Sequence, residues 1–297
     1  MTQRHTHLDT LAMTLMVGLC AVWGLNQVAA KLANAGISPV LQAGLRSAGA
    51  APLLWLWSAW RGIPLFERDG TLWRGLAAGL MFAAEFALIF WGLTYTPASR
   101  AVVFLYTAPF VVAVGMHVLV PAERLNRAQT LGLVAAFCGI IAAFGETLTL
   151  PTGRQWIGDA MLLGAALAWG ATTVLVRKSR LAAISANKTL FYQLAVSAVA
   201  LPLASLALGE TGFTDPTPLT WALFAFQTIG VAFASYLAWF WLITRYPATK
   251  LSAFSFLTPL FGMLFGALLL GERITPMLGL AMLLVSVGIW LVNRKSP

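Results

Sequence analysis

The sequence predicts an all-α integral membrane protein of ten transmembrane helices, arranged as two inverted five-helix repeats. Composition, the lengths of the apolar stretches and an internal echo predict it. Of the 297 residues, 59% are hydrophobic and 10% charged, and the mean hydropathy is +0.81. A soluble domain carries about a quarter charged residues. The echo is a turn, Trp91 to Arg100, that returns 150 positions later as Trp241 to Lys250.

Apolar stretches of the ~17–25 residues that cross a hydrocarbon core as helix lie at 10–32, 39–60, 74–95, 98–120, 128–145, 157–177, 185–208, 220–243, 250–270 and 276–293. Short loops between them hold most of the Pro, Asp, Glu, Arg and Lys. The turns at 95–98 and 244–250 are so short that counts of nine or eleven stay open.

Basic loop residues set the orientation, because Lys and Arg in short loops stay cytoplasmic. With the N-terminus inside, the inner segments hold Arg4, Arg61, Arg68, Arg74, Arg124, Arg127, Arg177, Lys178, Arg180, Arg245, Lys250, Arg294 and Lys295. The outer ones hold only Lys31, Arg100, Arg154 and Arg273. Both termini are therefore expected in the cytoplasm. The net charge of +9 needs no nucleic acid, since it faces anionic lipid headgroups.

The repeat has further landmarks. Pro109 returns as Pro259, Trp23-Gly24 as Trp169-Gly170 and Glu123-Arg124 as Glu272-Arg273. One copy covers 1–145 and the other 146–297, five spans each, so the second is inverted and the same turn faces opposite sides. Exchanging the conformations of such halves converts an outward-open state into an inward-open one. The architecture argues for transport by alternating access.

Other signals are mostly negative. Cys20 and Cys138 lie within spans without metal or disulfide spacing, and the first span lacks a signal-peptide cleavage pattern. The longest loops run to about a dozen residues, too short for a catalytic module, and phosphate-loop, zinc-protease and nucleophile-elbow signatures are absent. No metal, no cofactor and no enzymatic site is expected.

Trp23-Gly24 followed by Asn26 and Gln27, the Pro-Ala-[Ser/Thr]-[Arg/Lys] turns, the Pro109 and Pro259 helices, and Gly271-Glu272-Arg273 before the last span resemble the EamA-type ten-helix proteins of the drug/metabolite transporter superfamily. The similarity covers essentially the whole chain. Glu85, the Tyr106-x-x-Pro109 segment and Trp169 make it most like the YddG-type exporters of aromatic and neutral amino acids. The resemblance implies a bacterial inner-membrane exporter with a central cavity framed by spans one to four and six to nine.

The residues also speak for themselves. Glu85 is the one acid deep in a span, about eleven residues or ~17 Å from its inner end. A carboxylate there faces a cavity or a partner. Two readings stand: a proton or substrate role, and a structural pair with Arg46 at similar depth. Its repeat position is Ser235, so the duplicated fold does not require the acid. His117 lies three turns after Tyr106 on the same predicted face; it is either a second proton-coupling candidate or an interfacial hydrogen-bonding group. Pro109 and Pro259 are hinge or static-kink candidates.

Trp23, Asn26 and Gln27 share one helical face, as do Trp169, Thr172 and Thr173. With Glu85, Tyr106, Tyr192, Ser235, Trp239 and Ser255 they form the candidate substrate cavity. A mildly polar, aromatic lining suits a small neutral or zwitterionic solute and suits a polyphosphate poorly. Packing by Ser and Thr is the competing reading. Trp55, Trp57, Trp60, Trp73, Trp156, Trp221 and Trp290 are assigned to the interface belt. The expected partners are a small-molecule substrate and membrane lipid, with one chain sufficient as the transport unit. A multidrug or lipophilic-cation exporter of the same fold, an importer, and a membrane-embedded binding protein or enzyme are the alternatives.

Overall fold

Prolines, caps and loop carboxylates punctuate this chain into helices. A computed structural model describes residues 5–145, 150–271 and 277–294. Arg4, Glu272, Arg273 and Lys295 lie outside the described residues. The helices are α1 (Thr10–Ala33), α2 (Pro39–Trp60), α3 (Leu72–Gly92), α4 (Ala98–Leu105), α5 (Ala108–Leu119), α6 (Arg127–Phe144), α7 (Gln155–Lys178), α8 (Ala186–Ala207), α9 (Pro218–Ala225), α10 (Tyr236–Arg245), α11 (Ala248–Phe254), α12 (Leu257–Leu270) and α13 (Met277–Asn293), with a π-helical stretch, Phe226–Ser235, between α9 and α10.

Asp9 caps α1 by accepting from Ala12 N at 2.8 Å. Asn126 and Gln129 form a reciprocal capping box on α6, and Thr217 and Thr220 do the same on α9. At the start of α2 the orphan amides of Val40 and Leu41 donate to the two carboxylate oxygens of Glu210 at 3.0 and 2.9 Å. The turn before α2 is thereby tied to the loop after α8, where Ser38 Oγ also donates to Gly212 O at 3.0 Å. At the other end of α8, Lys188 donates to Asp69 at 2.7 Å and to Glu67 O at 2.6 Å. That hydrogen-bonded ammonium, and then Thr71, hold the Asp69 carboxyl down at about 2.

Pro109 and Pro259 do more than kink their rods. Each sits near the start of a second half-helix, and the chain breaks between α4 and α5 and between α11 and α12. A proline removes the amide that the carbonyl four residues earlier would accept from; those carbonyls belong to Leu105 and Ser255, where the first half-helices stop.

Among the described residues eight helical segments are long and apolar enough to cross a membrane: 10–33, 72–92, 98–119, 127–144, 155–178, 186–207, 218–245 and 248–270. Met277–Asn293 is a shorter apolar helix. The 22-residue α2 is long enough, but it carries Gln42, Arg46, Ser47 and Ser58 and falls outside that set. The chain is an all-α, multi-pass membrane protein.

The closest helix pairings are α6 with α13, α2 with α8, α3 with α7 and α8, and α1 with α12. Where α6 crosses α13, Gly132 and Gly288 let backbones touch: a Cβ on either would stand 2.6 or 2.5 Å from the other's carbonyl oxygen. All seven tryptophans assigned to the belt are exposed, as amphipathic rings at a lipid headgroup level would be.

Candidate functional site

Helix α7, 24 residues long, has an ion pair at each end and an aromatic cluster between. Near its start, Asp159 is only 8% exposed and accepts from Arg100 Nη2 at 2.7 Å and from Arg100 Nε at 2.9 and 3.0 Å. Thr96 Oγ1 adds a bond at 3.1 Å. Pro97 positions this turn, since its fixed φ sets up the first turn of α4 and so aims Arg100 across at α7. At the far end, ~27 Å away along the helix, Arg177 Nε donates to Glu123 at 2.6 Å and its Nη1 to the carbonyls of Ile243 and Thr244 at 3.2 Å. Glu123 also accepts from Ala248 N at 2.9 Å. The short turns at 96–100 and 244–248 are thus clamped to opposite ends of one helix.

Trp169 lies between the clamps, edge-on to Tyr106 with ring centres 6.0 Å apart. Tyr106 occupies the break between α4 and α5, where helix geometry stops. Across from it, Trp23 Nε1 donates to Ser235 Oγ at 2.9 Å and its ring meets Trp239 edge-on at 5.8 Å. The neighbouring Tyr236 accepts from Arg46 Nη2 at 3.4 Å and packs on Phe82 with centres 5.7 Å apart. The Arg46 guanidinium sits 4.5 Å from the Phe86 ring centre. Glu85, next in sequence to Phe86, is buried.

The sequence-derived set is therefore partly gathered. Trp23, Ser235 and Trp239 touch, and Tyr106 and Trp169 touch. Asn26 Oδ1 is buried without a hydrogen-bond partner among the described residues. Gln27 packs its amide oxygen over Gly262, at the α1–α12 crossing. Thr173 Oγ1 and Ser255 Oγ donate to the backbone carbonyls of Trp169 and Ser252 at 3.1 and 2.6 Å, the packing use of small hydroxyls.

Tyr192 stands apart from the set. Its ring fills the space over Gly75 and its hydroxyl is 3.2 Å from that of Thr71 at the beginning of α3. His117 does not share the buried face of Tyr106 either. The break at Tyr106 and Thr107 resets the helical phase, so His117 is exposed and accepts from Leu125 N at 3.0 Å. Glu85 and Arg46 are joined by no hydrogen bond or ion pair among the described residues.

Two open grooves, of about 650 and 470 Å³, lie at the Arg177 end, one lined by Trp57, Arg61 and Trp241 and the other by Leu8, Trp290 and Arg294. None of the candidate cavity residues lines either. Among the described residues no cluster of three His, Cys, Asp or Glu side chains is placed to hold a metal.

Asp159, Tyr236, Phe82 and Phe86 escaped the sequence reading. The repeat carried the signal for Asp159, which stands 150 positions after Asp9; the aromatics of α3 carried none, because such residues are ordinary in any apolar span.

Comparison with known proteins follows the same outline. The uncharacterised transporter YoaV of Bacillus subtilis is 26% identical over 278 residues, covering 93% of this chain and 94% of its own. A probable amino-acid metabolite efflux pump of Salmonella typhimurium is 26% identical over 284 residues, covering 91% and 90%. A solved crystal structure superposes with a TM-score of 0.81 over 96% of each chain at 17% identity, a likeness of fold. The sequence profile of the EamA-like transporter family matches residues 10–145 and again 156–294. With nearly all of its length accounted for by that double match, the chain belongs to the EamA-like transporter family.

Proposed function

We propose that this protein is a secondary transporter that exports small metabolites, with aromatic and neutral amino acids as its substrates, by alternating access. The observation that carries the reading is the pair of clamps on α7. Arg100–Asp159 closes one end of the bundle and Arg177–Glu123 the other, with the Trp23, Tyr106 and Trp169 cluster between them. Opening one clamp at a time would expose that cluster to one side of the membrane and then the other.

The proposal includes ten spans in two inverted five-helix units, 1–145 and 146–297, in a bacterial inner membrane with both termini cytoplasmic. Exchange of the halves supports this. It maps the α6–α13 and α2–α8 pairings onto themselves, and maps α1 on α12 onto α7 on α4 and α5. The two broken rods correspond, and Pro52 in α2 corresponds to Pro202 in α8 at the 150-residue offset. Both copies needed for alternation are in one chain, so the transport unit is a monomer. Pro109 and Pro259 sit at the corresponding breaks and are the hinge candidates.

Substrate class rests on the lining and on relatives named as amino-acid metabolite efflux pumps. The interior offers aromatic faces, amides and hydroxyls, which fit a neutral solute with an apolar body.

Purified protein in liposomes tests the reading. Labelled Phe, Trp, Met and Thr are expected to cross protein-containing membranes faster than empty ones. Transport of a lipophilic cation with none of these amino acids carried would replace the reading by drug export.

A further inference from the structure

Arg46 is a buried cation that neither clamp uses. Its side chain is 4% exposed, about seven residues or ~10 Å in from the Pro39 end of α2. Among the described residues its Nε has no hydrogen-bond partner, and its Nη2 has only the 3.4 Å contact to Tyr236. Glu85 is 9% exposed and at the same depth on α3, which runs antiparallel to α2 and ends where α2 begins. Phe86, the residue after Glu85, has its ring centre 4.5 Å from the Arg46 guanidinium, yet among the described residues no hydrogen bond or ion pair joins Arg46 to Glu85.

That arrangement is costly for a purely structural pair. Taking both ions out of water is offset only when they meet with good geometry and further hydrogen bonds. Here Phe86 and Tyr236 hold the guanidinium, and Phe82 packs against Tyr236. The Nε–Nη2 edge is the fork that binds a carboxylate through two parallel bonds, and it is close to unsatisfied.

We propose that Arg46 and Glu85 form a divided receptor for the two ends of a zwitterion. The Arg46 guanidinium takes the α-carboxylate, the Glu85 carboxylate takes the α-ammonium, and the rings of Phe82, Phe86 and Tyr236 receive the apolar side chain. The inference rests on the transporter reading above and names the chemistry its substrate must carry. It also accounts for the asymmetry of the repeat: the counterpart of Glu85 is Ser235, whose hydroxyl is taken by Trp23, so the charges belong to the ligand site and not to the duplicated scaffold.

The test is binding to the purified full-length protein in lipid nanodiscs, read by calorimetry, with three ligands: L-phenylalanine, L-phenylalaninamide, which lacks the carboxylate, and 3-phenylpropionate, which lacks the ammonium. Phenylalanine is expected to bind, and each analogue to bind at least about tenfold more weakly, the worth of one hydrogen bond to a charged group. Arg46→Gln is expected to erase the penalty on the amide alone, and Glu85→Gln the penalty on phenylpropionate alone. Equal binding of all three ligands to the unaltered protein overturns the receptor, as does discrimination that persists in both variants. The analogue series needs no variant, so misfolding of either one leaves the test decisive. Liposomes that carry phenylalanine while the analogues bind equally would sink the receptor and leave the transporter standing. Binding with the expected pattern but no flux would sink the transporter and leave the receptor.

Discussion

The Asp9 carboxylate accepts a hydrogen bond from Tyr246 at 2.7 Å. Moving both positions by 150, in opposite directions along the chain, gives Asp159 accepting from Thr96 at 3.1 Å. In each case the acid at the head of one half holds the short turn of the other. The basic residues of the two turns differ: Arg100 is bound to Asp159, whereas Lys250 lies 3.0 Å from His7 Nδ1. Asp9, held below the usual carboxylate range by Ala12 N and then by Tyr246, keeps a lighter grip than Asp159, which engages the Arg100 fork. The two ends of the bundle are thus built alike and fastened differently.

Asp159→Asn leaves the buried Arg100 guanidinium facing an amide. Removing one partner of a buried ion pair costs about 3–5 kcal/mol, so the melting temperature in detergent is expected to fall steeply. Replacing both residues by leucine is expected to recover much of the loss, because both buried ions of the pair are then gone. A double variant no more stable than Asp159→Asn would mean the clamp is not an isolated pair.

Glu123→Gln weakens the other clamp while leaving Arg177 its carbonyl partners Ile243 and Thr244. The buried thiol of Cys20, ten residues into α1 and bonded to Phe254 O at 3.2 Å, is the accessibility probe. In a Cys138→Ser background, maleimide labelling of Cys20 is expected to speed up several-fold over the parent. Unchanged labelling would show that the clamp does not control access.

Gly288→Val is expected to destabilise the protein without changing which solutes it carries. The added side chain has to enter backbone of α6, which cannot move as a flexible side chain would, and overpacking of this kind costs about 1–3 kcal/mol or more. Thermal unfolding checks the first half of the statement and competition for phenylalanine flux the second. A shifted substrate order would tie the α6–α13 pair to the site.

Asp69 gives a pH signature. Its pKa is about 2 in the folded protein against an ordinary 3.8, so the Lys188 bond stabilises the fold fully above the unfolded value. The contribution is lost as pH falls through the interval between the two. Asp69→Asn is expected to lower the melting temperature at neutral pH and to match the parent near pH ~2. An offset that persists at acid pH would assign the loss to something other than the charge.

How much of this was legible in the sequence depends on what carried the signal. Helix limits were legible because apolar runs end where Pro39, Pro97 and Pro218 start the next rod, and α2 was placed to the residue. The contact of Trp23 with Ser235 was foreshadowed by both belonging to polar faces at helical spacing. The face shared by His117 and Tyr106 does not hold, because the break at Tyr106 resets the 3.6-residue phase, while the interfacial hydrogen-bonding reading of His117 agrees with its exposed contact to Leu125 N. Tyr192 was misplaced because a tyrosine hydroxyl in a span reads as cavity polarity, whereas its ring is the knob that Gly75 receives. The clamps were invisible one residue at a time: Arg100 read as a loop cation, and Asp159 becomes meaningful only once α4 and α7 are side by side.

Counterflow tests the central claim most directly. Liposomes loaded with unlabelled phenylalanine and diluted into a trace of the labelled compound are expected to accumulate label transiently above equilibrium, because a site that faces one side at a time exchanges solute one for one. Label that enters without an overshoot would mark an open pore, and the alternating-access account would fail.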